Sequence, residues 1–233
     1  MSPRMLLALV SVIVLGTMPP RSVSAQSSRP GIGATLFDDA EGYGTTFRTW
    51  APNADSVSVV GSFNGFNPNT HFLGSEEGGW WSIDVPYVSQ GARYKFVIRN
   101  DGQELWRVDP CAFDVTNSVG DSRVYDNGAY EWQVNDFQMP GWNELVIYEM
   151  HLGTFAAEPG GPANGTFLKA IDRLDYLQSL GINAIELMPH MEFPGDRSWG
   201  YNPAHLYAVE SSYGSEDDLK AFIDEAYWTI ELA

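Results

Sequence analysis

The apolar pattern of this chain changes period once, near residue 140, and that change limits the architecture more than any other feature. Between residues 35 and 130 the period is two. It runs through Thr46-Phe47-Arg48-Thr49-Trp50, Val57-Ser58-Val59, Trp81-Ser82-Ile83-Asp84-Val85 and Tyr94-Lys95-Phe96-Val97-Ile98. Successive side chains of a strand point to opposite faces, so each run buries one face and wets the other. The second run leads into Gly61, the third ends at Pro86, and the fourth ends at Asn100-Asp101-Gly102, a strong hairpin-turn signal. Gly, Asn, Pro and Ser fill the spacers. Several short strands separated by turns predict an all-β, immunoglobulin-like sandwich over residues 35–130.

Beyond residue 140 the order becomes strand, helix, strand, helix. Leu145-Val146-Ile147-Tyr148-Glu149-Met150 and Ile182-Asn183-Ala184-Ile185-Glu186-Leu187-Met188 are short apolar strands. Between them Thr166 is placed to cap a helix with Phe167, Leu168, Ile171, Leu174, Leu177 and Leu180 on one stripe, and Gly181 stops it. Ser215 and Asp218 form a capping-box start for a further helix, with Leu219, Phe222, Ile223 and Ala226 facing inward. This order predicts a parallel α/β arrangement in residues 141–233. A connection of roughly 25 residues between a strand and its helix, here residues 189–214, is unusual, and long loops are usually functional. In a (β/α)8 barrel the loops after strands build the active site, which places His151, Trp199, Gly200 and Tyr201 where a substrate would sit.

Residues 1–25 read as a signal peptide. Arg4 supplies the positive start, the apolar run 5–16 is shorter than the ~20 residues that span a bilayer, and Val23-Ser24-Ala25 suits cleavage before Gln26. The expected location is therefore secreted or periplasmic, with no membrane attachment after cleavage. The formal charge is −17, and cleavage removes two arginines and no acid. Such a surface repels phosphate backbones, which argues against nucleic acid as a partner, but does not repel a neutral polysaccharide. Aromatic residues make up 13% of the chain, an excess that fits stacking on the flat C–H faces of sugar rings. The single cysteine, Cys111, excludes an intramolecular disulfide. Asn164-Gly165-Thr166 is a glycosylation sequon.

Several motifs resemble known families. Gly61-Ser62-Phe63-Asn64-Gly65-Phe66, Trp80-Trp81, Tyr94-Lys95-Phe96 and Trp106-Arg107-Val108-Asp109-Pro110 resemble carbohydrate-binding module family 48. Tyr148-Glu149-Met150-His151-Leu152-Gly153-Thr154-Phe155, Ile185-Glu186-Leu187-Met188-Pro189 and Trp199-Gly200-Tyr201-Asn202-Pro203 resemble the opening of the glycoside hydrolase family 13 barrel. The resemblance implies the first two βα units of an incomplete (β/α)8 TIM barrel behind the sandwich. In the module it implies that Phe66, Lys95 and Trp106 hold maltooligosaccharide, although Phe66 stands where the family usually has the larger tryptophan. In the barrel it implies that Tyr201 stacks under the sugar, that His151 and Glu149 at the end of the first strand are structural or stand behind the substrate contacts, and that Glu186 has no catalytic role; Trp199 and His151 stay candidates for substrate contact by their place at the strand ends.

The family cleaves with retention, using two carboxylates ~5–5.5 Å apart and a third that assists. They come from later strands, and the Asp-x-x-x-Asn-His motif of the third strand does not occur in this sequence. The expectation is that no catalytic residue lies in this chain, that it is an N-terminal fragment, and that two βα units cannot close a barrel. Residues 227–233 also depart from the family pattern. The resemblance implies no cofactor, and the ligands of the calcium site that some family members carry near the third strand are expected to fall outside this chain. The implied partner is α-glucan polysaccharide or maltooligosaccharide. The implied activity is hydrolysis of α-1,4 or α-1,6 glucosidic bonds by the intact parent. Branching transfer is the alternative enzyme, and glucan binding by the sandwich alone is the non-enzymatic one.

Overall fold

The computed structural model describes residues 26–157 and 165–231. The expected leader and Asn164 of the sequon lie outside the described residues. Strands β1 (Gly33–Asp39), β2 (Gly42–Trp50), β5 (Trp80–Pro86) and β4 (Gly74–Ser75) pair antiparallel in the order β1-β2-β5-β4. A second antiparallel sheet is built on β6 (Arg93–Asn100). Strand β3 (Ser56–Gly61) pairs along one side of it, and β7 (Gln103–Arg107) and β9 (Ser122–Arg123) along the other, with β8 (Asp114–Val115) beyond β9.

The period-two runs produce this sandwich directly. Phe47, Ile83 and Val85 from the first sheet meet Val57, Val59, Tyr94 and Phe96 from the second in one core. The Phe47 ring lies edge-on to Tyr94, with centroids 5.0 Å apart. The β6–β7 hairpin closes through Asn100 opposite Gln103, with Asp101 and Gly102 at φ 48° and 74°. These are the positive φ angles that a two-residue primed turn demands.

The sandwich extends further toward the N-terminus than its alternation suggests. Residues 27–31 lie across the outer face of the first sheet. The Ser27 N–H donates to Ser82 Oγ (2.8 Å), the Ser27 hydroxyl donates to Asp84 (2.6 Å), and Arg29 pairs with Asp39, Glu41 and Asp84. Burial alone would push the Asp84 carboxyl up. The hydrogen bonds from Ser27, Thr46 and Arg29 outweigh that and hold it below the usual carboxylate range.

In the second half β10 (Ile147–Met150) and β11 (Ala184–Leu187) pair in parallel, with Ile147 opposite Ala184 and Met150 opposite Leu187. Tyr148, Met150, Ile185 and Leu187 face a helical layer that contributes Phe167, Ala170, Leu174, Leu177, Phe222 and Ala226. After the single turn α1 (Leu152–Phe155), the expected one helix is instead two, α2 (Phe167–Ile171) and α3 (Leu174–Ser179). Thr166 caps α2 through the Lys169 N–H, but at Arg173 ψ opens to 4° and its N–H bonds back to Ala170. This three-residue step resets the helical phase. The buried stripe is therefore Phe167, Ala170, Leu174 and Leu177, while Leu168 and Leu180 are exposed, contrary to the stripe expected from spacing. Gly181 ends α3 at φ 79°.

Helix α4 (Glu216–Glu231) starts at the predicted box. The Ser215 N–H donates to Asp218 Oδ2 (2.8 Å) and the Asp218 N–H returns to Ser215 Oγ (3.2 Å). The two halves are tied together. Asp224 on α4 accepts the backbone N–H groups of Gln133 and Val134 and the Tyr130 hydroxyl, and Phe137 stacks on Tyr227 with centroids 4.2 Å apart. Val108, Ala112 and Val115 from the sandwich close on Ala208 from the long loop. Among the described residues no helix is long and apolar enough to cross a membrane.

Candidate functional site

The long connection, residues 189–214, stands over the C-terminal end of the parallel strands. His151 follows β10 directly. Its Nε2 lies 2.8 Å from the Ser198 carbonyl oxygen, which can only accept, so the proton sits on Nε2. Its Nδ1 is 3.0 Å from Thr154 Oγ1. The imidazole thus ties the loop, just before Trp199, to the strand end.

Gly200 fixes the next residues. Its φ is +84°, its N–H donates to Ser198 Oγ (3.1 Å), and a Cβ there would overlap the Pro189 carbonyl oxygen. On either side of this tight point Trp199 and Tyr201 project outward, 71% and 67% exposed. The structure therefore brings His151, Trp199 and Tyr201 into one loop-and-strand-end assembly, with two aromatic faces open to solvent.

Glu149 and Glu186 lie directly opposite one another in the β10–β11 register, on the face turned away from the helices, and both are exposed. Among the described residues no group of three or more His, Cys, Asp or Glu side chains is arranged to hold a metal ion.

Two functional candidates escaped the sequence reading. Glu192 and Glu210, 1% and 0% exposed, sit at the neck of the loop. Burial pushes the Glu192 carboxyl up, and the neighbouring Glu210 charge adds to that, against the lowering effect of the Ser211 N–H. The only cue in sequence is an acid flanked by apolar residues in Met191-Glu192-Phe193, and one preceded by them in Ala208-Val209-Glu210.

At the start of α4 burial raises the Glu216 carboxyl to about 7, although the Val209 N–H donates to it at 2.8 Å. A raised value means the folded chain holds this proton more tightly than the unfolded chain. Stability therefore falls as pH rises from 4.5 to 7, by on the order of 2–3 kcal/mol. Glu216→Gln keeps an oxygen for Val209 and removes the charge. Thermal melts are expected to show the variant a few degrees more stable than wild type at pH 8 and no better at pH 4. An equal gain at both pH values would contradict this account.

In the sandwich, Lys95 and Trp106 share the outward face of the second sheet, because Trp106 lies opposite Val97 and Val97 is two residues from Lys95. Phe66 sits just past β3 at φ 56°, with the Arg93 guanidinium 5.7 Å from its ring centre. The three residues thus flank one surface, but each polar end already has a partner. The Lys95 ammonium is 3.3 Å from Asp121, and the Trp106 indole N–H donates to Glu104 (2.9 Å). The Trp106 indole face itself is left open to solvent.

A β-sandwich with an aromatic outer face is thus packed on parallel βα units that present further open rings at their strand ends. Residues 32–112 match the family of carbohydrate-binding module 48 (isoamylase N-terminal domain), and residues 110–228 match the alpha amylase catalytic domain. The chain belongs to the α-amylase catalytic-domain family and carries a module-48 domain ahead of that region. It is 35% identical over 198 residues to the 1,4-alpha-glucan branching enzyme of Picrophilus torridus, covering 84% of this chain and 28% of that protein. It is 37% identical over 211 residues to the malto-oligosyltrehalose trehalohydrolase of Deinococcus radiodurans, covering 90% and 32%. The crystal structure of pullulanase type I from Bacillus subtilis, complexed with maltose, superposes with a TM-score of 0.73 at 25% identity, covering 88% of this chain and 32% of that one. The chain thus spans about a third or less of the length of these relatives.

Proposed function

We propose that this chain supplies the glucan-holding wall of a secreted α-glucan-active glycosidase. In that enzyme α-1,4 or α-1,6 glucosidic bonds are cleaved with retention by carboxylates contributed from elsewhere. The observation that carries the reading is the pair of open rings, Trp199 and Tyr201, held by Gly200 and His151 above the strand ends. An aromatic ring facing solvent at that position offers a stacking face to a sugar. The relatives named above act on, or are complexed with, α-linked glucose polymers and oligomers, which supports the substrate class. The identity to a branching enzyme also supports transfer to a second glucan as the outcome of the covalent step. The leader-like composition of residues 1–25 supports export.

Retention on immobilised amylopectin tests the binding part. The chain exported from a bacterial host is expected to be retained and, sequenced from its N-terminus, to begin at Gln26. Tyr201→Ala and Trp106→Ala each remove one stacking face and are expected to weaken retention about tenfold or less. If only Trp106→Ala has an effect, the sandwich alone binds glucan. If neither variant differs from wild type, the aromatic reading fails.

A further inference from the structure

We propose that Glu192 and Glu210 are positioning residues that hold the long loop in the one arrangement presenting Trp199 and Tyr201. The proposal rests on the reading that these rings meet glucan, and goes beyond it by assigning what sets their place. The loop leaves and returns through a short antiparallel neck. Met191 bridges Val209, the Glu192 N–H donates to the Ala208 carbonyl (2.9 Å), and the Glu210 N–H donates to the His190 carbonyl (2.8 Å). Among the described residues no strand extends this ladder, so the backbone N–H groups just beyond it need other acceptors.

The two carboxylates supply them, each across or around the neck. Glu210 accepts the N–H of Phe193 (3.1 Å) and of Ser212 (3.0 Å). Glu192 accepts the N–H of Ser211 (2.7 Å), while its backbone carbonyl takes those of Ala204 (2.7 Å) and His205 (3.2 Å). Burying two carboxylates side by side costs more than burying apolar groups of the same size. What they provide is directional: three N–H groups, Phe193 on one arm and Ser211 and Ser212 on the other, are fixed with respect to one another, and the segment carrying Trp199, Gly200 and Tyr201 is strung between residues 193 and 204.

Glutamine at 210 places an amide NH2 against one of the two N–H donors, so one arm must release. Glutamine at 192 keeps an oxygen for the Ser211 N–H and is the milder change. The test uses the full chain labelled with 5-fluorotryptophan, whose eight indoles give separate fluorine resonances, with Trp199 assigned through Trp199→Phe. Maltoheptaose is the probe. Glu210→Gln is expected to shift the Trp199 resonance in the free protein and to raise the Kd read on it at least tenfold. The resonances of Trp50, Trp80, Trp81 and Trp106 are expected to stay, and Glu192→Gln to move both readouts less.

An unchanged Trp199 resonance and Kd in Glu210→Gln would overturn the proposal. So would loss of all the dispersed resonances together, because the carboxylates would then hold the whole chain and not the loop. If wild type shows no maltoheptaose response, the glucan reading fails, and the Trp199 resonance of the free variants still decides whether the two residues position the loop.

Discussion

Phe47→Ala is expected to destabilise the sandwich by about 3–5 kcal/mol, a third or more of what a typical domain possesses. The ring is fully buried and lies between the Tyr94 and Phe63 rings, with centroid distances of 5.0 and 5.6 Å. It comes from the central part of β2, so its loss opens a cavity where the two sheets meet and where Val57, Val59 and Ile83 also converge. The backbone around it is held by ladders to β1 and β5 and cannot collapse far. Urea unfolding monitored by tryptophan emission should show the transition midpoint falling steeply. A loss below about 1 kcal/mol would mean that the core repacks around the gap, and that the sandwich does not depend on this interdigitation.

Gly200→Ala is expected to abolish measurable glucan retention through the loop while leaving the sandwich transition in place. An L-residue in the left-handed region costs about 1–2 kcal/mol by itself. Here the added Cβ also overlaps the Pro189 carbonyl oxygen, which is backbone and cannot rotate away. The loop must shift, and the residues that shift are the two bearing the open rings. Retention on amylopectin by the Gly200→Ala variant carrying Trp106→Ala, compared with Trp106→Ala alone, isolates the loop's share. Equal retention by the two would show that the backbone at Gly200 does not govern how Trp199 and Tyr201 are presented.

The parts of this structure that were legible in sequence share one property: a side-chain pattern set by repeated geometry. Thr46 to Trp50 and Tyr94 to Ile98 alternate because a pleated strand alternates, and Asn100-Asp101-Gly102 marks its turn because few residues accept positive φ. The capping box at Ser215 and Asp218 was equally readable, since its two hydrogen bonds span a fixed three-residue interval. The strap formed by Ser27 and Arg29 was not, because a polar network over a sheet face has no period and its partners on β5, Ser82 and Asp84, lie 55 or more residues away. The break between α2 and α3 also escaped. Leucines at 168, 174, 177 and 180 look like one stripe until the phase step at Arg173 turns Leu168 and Leu180 to solvent.

The candidate site was legible as a place but not as a mechanism of support. The length of the segment after the second strand, and the family motif Trp199-Gly200-Tyr201-Asn202-Pro203, pointed to residues 199–201. Glu192 and Glu210 gave no such signal, since an isolated acid in a loop reads as a solvated one. Only the fold shows that each is spent on backbone donors across a two-sided neck.

The Asp224 junction has a consequence for how a long polymer is read. Three donors from the connecting segment, Tyr130, Gln133 and Val134, converge on one carboxylate of α4, and Phe137 is stacked on the same helix. The connection is therefore a strut and not a tether. With a flexible tether, a second contact on the same glucan forms over a broad range of chain lengths. With a strut, the spacing between the Trp106 face and Tyr201 is a fixed length, and a glucan engages both only when its own helical path covers that length. Under the proposed function the molecule then acts as a gauge as well as a grip, and a mutation at Asp224 would blur the gauge while leaving each grip intact.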